Sequence, residues 1–173
     1  MVGQAHSHLQ LSWAYERQDP HSEPALSHAQ RALELFRTGG DERWQARALN
    51  AVAWSVCLRG EPASGLTAAT EALGVLRRLG DPSGQASTVD TIGFARHQLG
   101  DYRGAIANYL TALAMFRDLG RRLGEAAAHD HLGDAYLGLG NADTARGHWS
   151  RAIAILTDLG DDQALQRISA KLG

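Results

Sequence analysis

A chain of 173 residues is long enough for one ordinary domain or a short repeat array. It is 44% hydrophobic and 21% charged with a formal net charge of −2, and it carries neither a polybasic arm nor an acidic tail, which argues against nucleic acid or an anionic membrane as a direct partner. Cys57 is its only cysteine, so an intramolecular disulfide is excluded and a reducing, cytoplasmic setting is the expectation.

In chain order, the N-terminus Met1-Val2-Gly3-Gln4-Ala5-His6 lacks a basic region followed by an apolar core, so no signal peptide is expected. No apolar run is long enough to span a bilayer. Ala and Leu dominate and β-branched residues are sparse, which favours an all-helical fold. The glycines then set a beat. Gly40, Gly80, Gly120 and Gly160 recur at one fixed interval, with Gly60, Gly100 and Gly140 halfway between. Such a repeat means stacked supersecondary units rather than one globular core. The units are 1–40, 41–80, 81–120 and 121–160, with a tail at 161–173, together forming a single domain.

Each unit from the second onward divides into helix A and helix B at its middle glycine. The pattern predicts helices over Glu42 to Leu58, Pro62 to Leu79, Gln85 to Leu99, Tyr102 to Leu119, Gly124 to Leu139 and Ala142 to Leu159. Gly100 and Gly140 sit where a helix ends in a left-handed residue, and Asp101 and Asn141 follow as N-caps. Glu61 takes the cap place in the second unit, with Pro62 at the first helical position. Pro20 and Pro24 lie near the start of the first helix B, and Pro82 follows a glycine stop.

The apolar faces share one phase. Val52, Ile92 and Leu132 occupy one place in helix A; Leu73, Leu113 and Ile153 occupy one in helix B, with Leu76, Phe116 and Leu156 three residues beyond. Small residues Ala53, Gly93 and Gly133 are expected to meet Gly65, Ala105 and Ala145 where the helices cross. The first unit reads as degraded: its helix B is sound, but Ser12 and Trp13 stand where an aliphatic and a small residue belong, and Asp19-Pro20-His21 replaces the glycine turn. Leu165, Ile168 and Leu172 share one face of the tail, which predicts a short capping helix.

This pattern resembles the tetratricopeptide repeat. Ile92-Gly93 and Leu132-Gly133 match the Leu-Gly pair, Tyr136 the helix A tyrosine, Ala105 and Ala145 the crossing alanine, Tyr109 and Trp149 the aromatic, and Ala112 and Ala152 the final alanine. The second unit departs, with Ala53 for the glycine, Gly65 for the alanine and Ala69 for the aromatic, and Arg96 departs at the tyrosine position. The resemblance implies an all-α, right-handed superhelical solenoid of four antiparallel helix pairs plus a C-terminal capping helix. The family unit is about 34 residues, so the longer interval implies about a turn and a half more helix per unit. The long unit and the Leu-Gly-Asp endings are similar to the C-terminal arrays of large bacterial transcription regulators, and to peptide-sensing regulators. That implies the sensor or coupling part of such a regulator.

The resemblance also implies that helix A lines the inner groove. Asn50, Asp90 and Asp130 then form one rung, with Ala51, Thr91 and His131 beside it. Trp54, Phe94 and Asp134 lie one turn on, followed by Cys57, His97 and Leu137, while Arg47, Ser87 and Ala127 lie one turn back. Polar and aromatic groups on such a face suit the capture of a peptide or helix. The alternative is that these Asn and Asp residues cap or bond neighbouring helices. Asp90, Asp130 and Asp134 make the groove acidic, so a basic, amphipathic ligand is expected.

Other chemistry finds little footing. His129 and His131 point about 200° apart on a helix and cannot share a metal; His131, Asp134 and His97 are the remaining conceivable set. Ser55 and Ser150 have no evident neighbouring base, and no nucleophile or phosphate-loop motif occurs. Cys57 reads as a small buried residue. Trp13 and Trp44 match no core position and are either exposed anchors or packing between the first two units. The sequence thus points to a non-catalytic protein or peptide interaction module without a cofactor. Self-assembly through the first unit or the end faces, and contact with domains outside this chain, are the other readings.

Overall fold

The computed structural model describes residues 2–19 and 21–172. Among them are nine helices: α1 Val2–Gln18, α2 Glu23–Gly39, α3 Glu42–Leu58, α4 Pro62–Arg78, α5 Pro82–Gln98, α6 Tyr102–Asp118, α7 Arg122–Gly138, α8 Ala142–Leu159 and α9 Asp162–Ser169. Each packs on the next in sequence, and α3–α5 and α5–α7 also touch, so the odd-numbered helices form an inner layer. This is an α-solenoid of helix pairs. None of the helices is long and apolar enough to cross a membrane.

The seven periodic glycines all adopt positive φ, between 60° and 88°. Only glycine takes that conformation without a Cβ penalty, which explains the constancy of the beat. At each, the following residue's amide reaches back to close the helix, as in Glu61 N–H to the Val56 carbonyl at 3.2 Å and Asn141 N–H to Tyr136 at 2.9 Å. Asp41, Asp81, Asp101, Asn141 and Asp161 cap the next helices through their side chains, accepting from the amide three residues on. Arg121 and Glu61 occupy the same place without a side-chain cap.

Two helix A starts differ from the sequence expectation. α5 begins at Pro82 rather than Gln85, because Asp81 caps and proline suits the first turn; α7 begins at Arg122 rather than Gly124. The capping helix is confined to Asp162–Ser169, with Ile168 buried. Pro20, expected near a helix start, lies outside the described residues.

The helix crossings follow a compensation not anticipated from sequence. A Cβ on Gly93 would come within 2.7 Å of the Tyr109 ring, and one on Gly133 within 2.3 Å of the Trp149 indole. The glycines therefore seat the aromatic residues of helix B. Where helix B carries Ala69 instead, helix A can carry Ala53, and the close approach shifts to Gly65 against Ala53 and Cys57.

The array curls enough to bring its ends together. The Gln163 amide donates to the Arg17 carbonyl at 3.1 Å, and the Arg17 guanidinium stands 3.8 Å from Asp161.

Candidate recognition groove

The first helix pair is displaced rather than degraded. The connection between α1, ending at Gln18, and α2, beginning at Glu23, is one residue longer than the three-residue turns 59–61, 99–101 and 139–141. Moving α1 by one position restores the pattern. Buried Ala5 then matches Ala46, Ala86 and Ala126, and fully buried Ser12 matches the small Ala53, Gly93 and Gly133. Leu11-Ser12-x-x-Tyr15 becomes the counterpart of Leu132-Gly133-x-x-Tyr136.

Side-chain geometry supports that alignment independently. Tyr136 stacks on His148 at 5.3 Å, and His148 Nδ1 lies 2.9 Å from His129 Nδ1. Tyr15 stacks on His28 at 5.5 Å, and His28 Nδ1 lies 2.7 Å from His8 Nδ1. The same Tyr–His–His constellation thus recurs in the first and fourth pairs. Burial, with His148 and Arg117 nearby, pushes the His129 pKa down to about 4. Burial also lowers His148. A one-residue insertion allowed at the first turn is the sequence signal that would have revealed the match.

In the shifted register Trp13 joins the rung of Trp54, Phe94 and Asp134, and Leu9 joins that of Asn50, Asp90 and Asp130. The Trp54 and Phe94 rings lie 4.4 Å apart, and both face His131, at 5.8 and 5.9 Å. Three successive helix A members therefore build one aromatic surface. Trp13 is 48% exposed, whereas Trp44 packs against Phe36 and His6 beneath the Arg47 guanidinium.

The acidic rungs are already engaged. Asp90 bonds His131 Nδ1 at 3.1 Å. Burial disfavours the charged imidazole, but Asp90, Asp130 and Asp134 outweigh it and hold the His131 pKa above its ordinary value. Asp134 accepts from the Trp149 indole at 3.2 Å. His97, half-buried near Asp134, is nonetheless shifted down by burial. Asp130 is only 1% exposed and meets Lys171 and Arg167 from the tail. Asn50 retains a buried Oδ1 without a hydrogen-bond partner.

Not every residue placed in the groove by sequence is open to a ligand. Thr91 is buried and its hydroxyl bonds the Ser87 carbonyl. Cys57 is fully buried against Gly65, and burial pushes its thiol up to about 11, as suits an inert packing residue. Arg47 forks onto Asp81 at 2.6 and 2.7 Å, tying α3 to the start of α5 and holding the Asp81 carboxyl below its usual range. Trp54 and Phe94, by contrast, stay half-exposed. Among the described residues no group of three or more His, Cys, Asp or Glu side chains converges as a metal site would require. Ser55 corrects the expectation of no neighbouring base: its hydroxyl donates to Glu16 at 2.5 Å. Burial pushes the Glu16 carboxyl up to about 7.

Residues 85–169 match the tetratricopeptide repeat family. No curated protein matches the chain by sequence. Among solved structures it is similar to a Rap protein complexed with competence and sporulation factor, at 21% identity and a TM-score of 0.82, over 96% of this chain and 46% of that one. It is also similar to aspartyl phosphate phosphatase F from Bacillus subtilis, at 16% identity and a TM-score of 0.75, over 97% of this chain and 44% of that one. A third similar structure is a signal transduction ATPase with numerous domains from Pyrococcus horikoshii that carries a tetratricopeptide repeat sensor. It has 17% identity and a TM-score of 0.69, over 96% of this chain and 26% of that one. The chain spans less than half the length of each of these three. At such identities the likeness speaks for the fold.

Proposed function

We propose that this tetratricopeptide-repeat chain is a non-catalytic recognition module, taking a peptide or helix of a protein partner along its inner helix layer. The observation that carries the reading is the ring cluster of Trp54, Phe94 and His131, built from three repeats and only half-buried, beside an acidic corner. Rings held by a rigid scaffold supply contact area at small entropic cost. The partner fitting this surface is an amphipathic segment with an apolar anchor and a cation. The module's place is the sensor or coupling part of a bacterial regulatory protein. That reading draws support from the sensor repeats named for the Pyrococcus horikoshii structure and from the factor-bound Rap protein.

The test is capture of a partner from native lysate with wild-type chain and with Trp54→Ala plus Phe94→Ala. Circular dichroism serves to verify that both are folded. A specific partner retained by wild type and weakened by at least about tenfold in the folded variant supports the groove. Equal retention refutes it.

A second reading rests on α1, where Leu11, Trp13 and Tyr15 remain 43%, 48% and 36% exposed. It takes this helix as a self-association face. Light scattering across a concentration series, with Trp13→Ala as control, separates that reading from a monomeric groove binder.

A further inference from the structure

Lys171 is the only lysine among the 17 lysine and arginine residues of the chain. Its ammonium sits 2.7 Å from Asp130 Oδ1 and 2.8 Å from both oxygens of Asp134. It also lies 5.9 Å from the Trp149 ring centroid. Two carboxylates and an aromatic face around one ammonium are the elements by which a protein reads a lysine. Trp149 is itself oriented by its indole bond to Asp134, so the three recognition groups form one unit.

The pocket is not saturated by its occupant. Asp130 is 1% exposed, yet its Oδ2 has no aligned hydrogen bond, although Arg167 Nη1 stands 3.1 Å away. A buried carboxylate oxygen left so is costly and can accept from a better-placed donor. The occupant is a short, largely exposed segment, although Ala164 and Leu165 pack partly on the core and Gln163 donates to the Arg17 carbonyl. Of α9 only Ile168 is fully buried, Arg167 is 61% exposed, and Lys171 lies in the turn beyond the helix. The tail is thus a short segment with an apolar face, Ala164, Leu165 and Ile168, and two cations four residues apart, Arg167 and Lys171.

We propose that Asp130, Asp134 and Trp149 form a lysine-reading pocket at the C-terminal end of the groove. Residues 162–172 act there as a resident ligand, and the partner segment displaces them with a lysine of its own. This rests on the groove reading above and names the partner's chemistry: a basic amphipathic peptide whose lysine replaces Lys171. In the free chain the tail neutralises the corner, and binding exchanges one cation for another.

The probe is a fluorescent synthetic peptide carrying residues 161–173, together with a copy in which its lysine is alanine. Anisotropy follows its binding to the full chain as wild type, as Lys171→Ala, and as Lys171→Ala with Asp130→Asn and Asp134→Asn. The expected result is binding to Lys171→Ala at least about tenfold tighter than to wild type. That binding is lost in the Asn variant and with the alanine peptide. Binding that is absent, or equal across the three proteins, overturns the proposal. Because Lys171→Ala uncovers a buried carboxylate and could unfold the chain, hydrogen exchange on wild type provides a second readout. Excess lysine peptide accelerates exchange at the amides of 162–172, and unchanged exchange refutes displacement. A failed peptide experiment with partner capture still sensitive to Trp54 and Phe94 removes the pocket and leaves the groove. The converse outcome removes the groove and leaves the pocket.

Discussion

The first and fourth helix pairs carry the same Tyr–His–His stack and the same crossing of helix A over helix B, yet they lie in different environments. In the fourth pair His129 and His148 are buried between α7 and α8, and the crossing is a glycine against tryptophan. In the first pair His8 and His28 are half-buried, and the corresponding positions are the small, fully buried Ser12 and Ala29. The fourth pair has α6 on one side and α9 on the other, whereas α1 leaves Leu11, Trp13 and Tyr15 open. The same motif therefore serves as tight core at one end and as accessible surface at the other. Neighbouring helices make that difference, since burial of a repeat depends on what stacks against it.

The largest expected difference is steric. Gly133→Ala drives a methyl into the Trp149 indole and breaks its bond to Asp134, at a cost of about 2 kcal/mol in urea unfolding. The corresponding change in the first pair, Ser12→Ala, removes a buried hydroxyl that has no partner and is expected to be neutral or slightly stabilising. Equal costs at the two sites would break the register assignment.

A smaller effect separates the ends by pH. The folded pKa of His129 lies at about 4, below its ordinary 6.5, so its contribution is complete above 6.5 and declines as pH falls from 6.5 towards 4. Glu16 is the opposite case. Its folded pKa is raised from 4.5 to about 7, so its contribution is complete below 4.5 and is lost as pH rises from 4.5 through 7. After correction for intrinsic exchange rates, amide protection should weaken around α7–α8 at pH 5 relative to pH 7, and along α1 at pH 8 relative to pH 6. His129→Asn should flatten the first response and Glu16→Gln the second. Matching trends at both ends would contradict the contrast.

The smallest expected change in stability follows Trp13→Ala, within about 0.5 kcal/mol, because the ring is 48% exposed. Partner affinity is where this substitution should register if the aromatic rung extends from Trp54 into the first pair. Unchanged affinity would confine the groove to the second pair onward.

Much of the fold was legible because its signals are local. A glycine at a left-handed stop, an Asp or Asn cap after it, and apolar residues at helical spacing each act within a few residues. Val52, Ile92 and Leu132 could be aligned by counting. The one-residue slip in α1 escaped because counting assumes a constant turn length, and the connection between α1 and α2 is one residue longer. Trp44, left undecided by sequence, found its place against Phe36 and His6 from separate helices. The site was less legible. Trp54, Phe94 and His131 come together in one ring cluster, but the burial of Thr91 and of Cys57, the latter against Gly65 of the paired helix, depends on packing that no spacing displays.

The sequence by itself determined the repeat, its stops and caps, the helix pairs and the residues shared between rungs, because short-range backbone sterics and periodicity determine those. Tertiary structure decided which rungs stay open, which side of a crossing holds the large residue, and how the acids are occupied. Asp130 and Lys171 lie 41 residues apart, and only the folding of the tail over α8 brings the chain's single lysine to its buried carboxylate. Desolvation and charge pairing are properties of the assembled surface, and no local pattern encodes them.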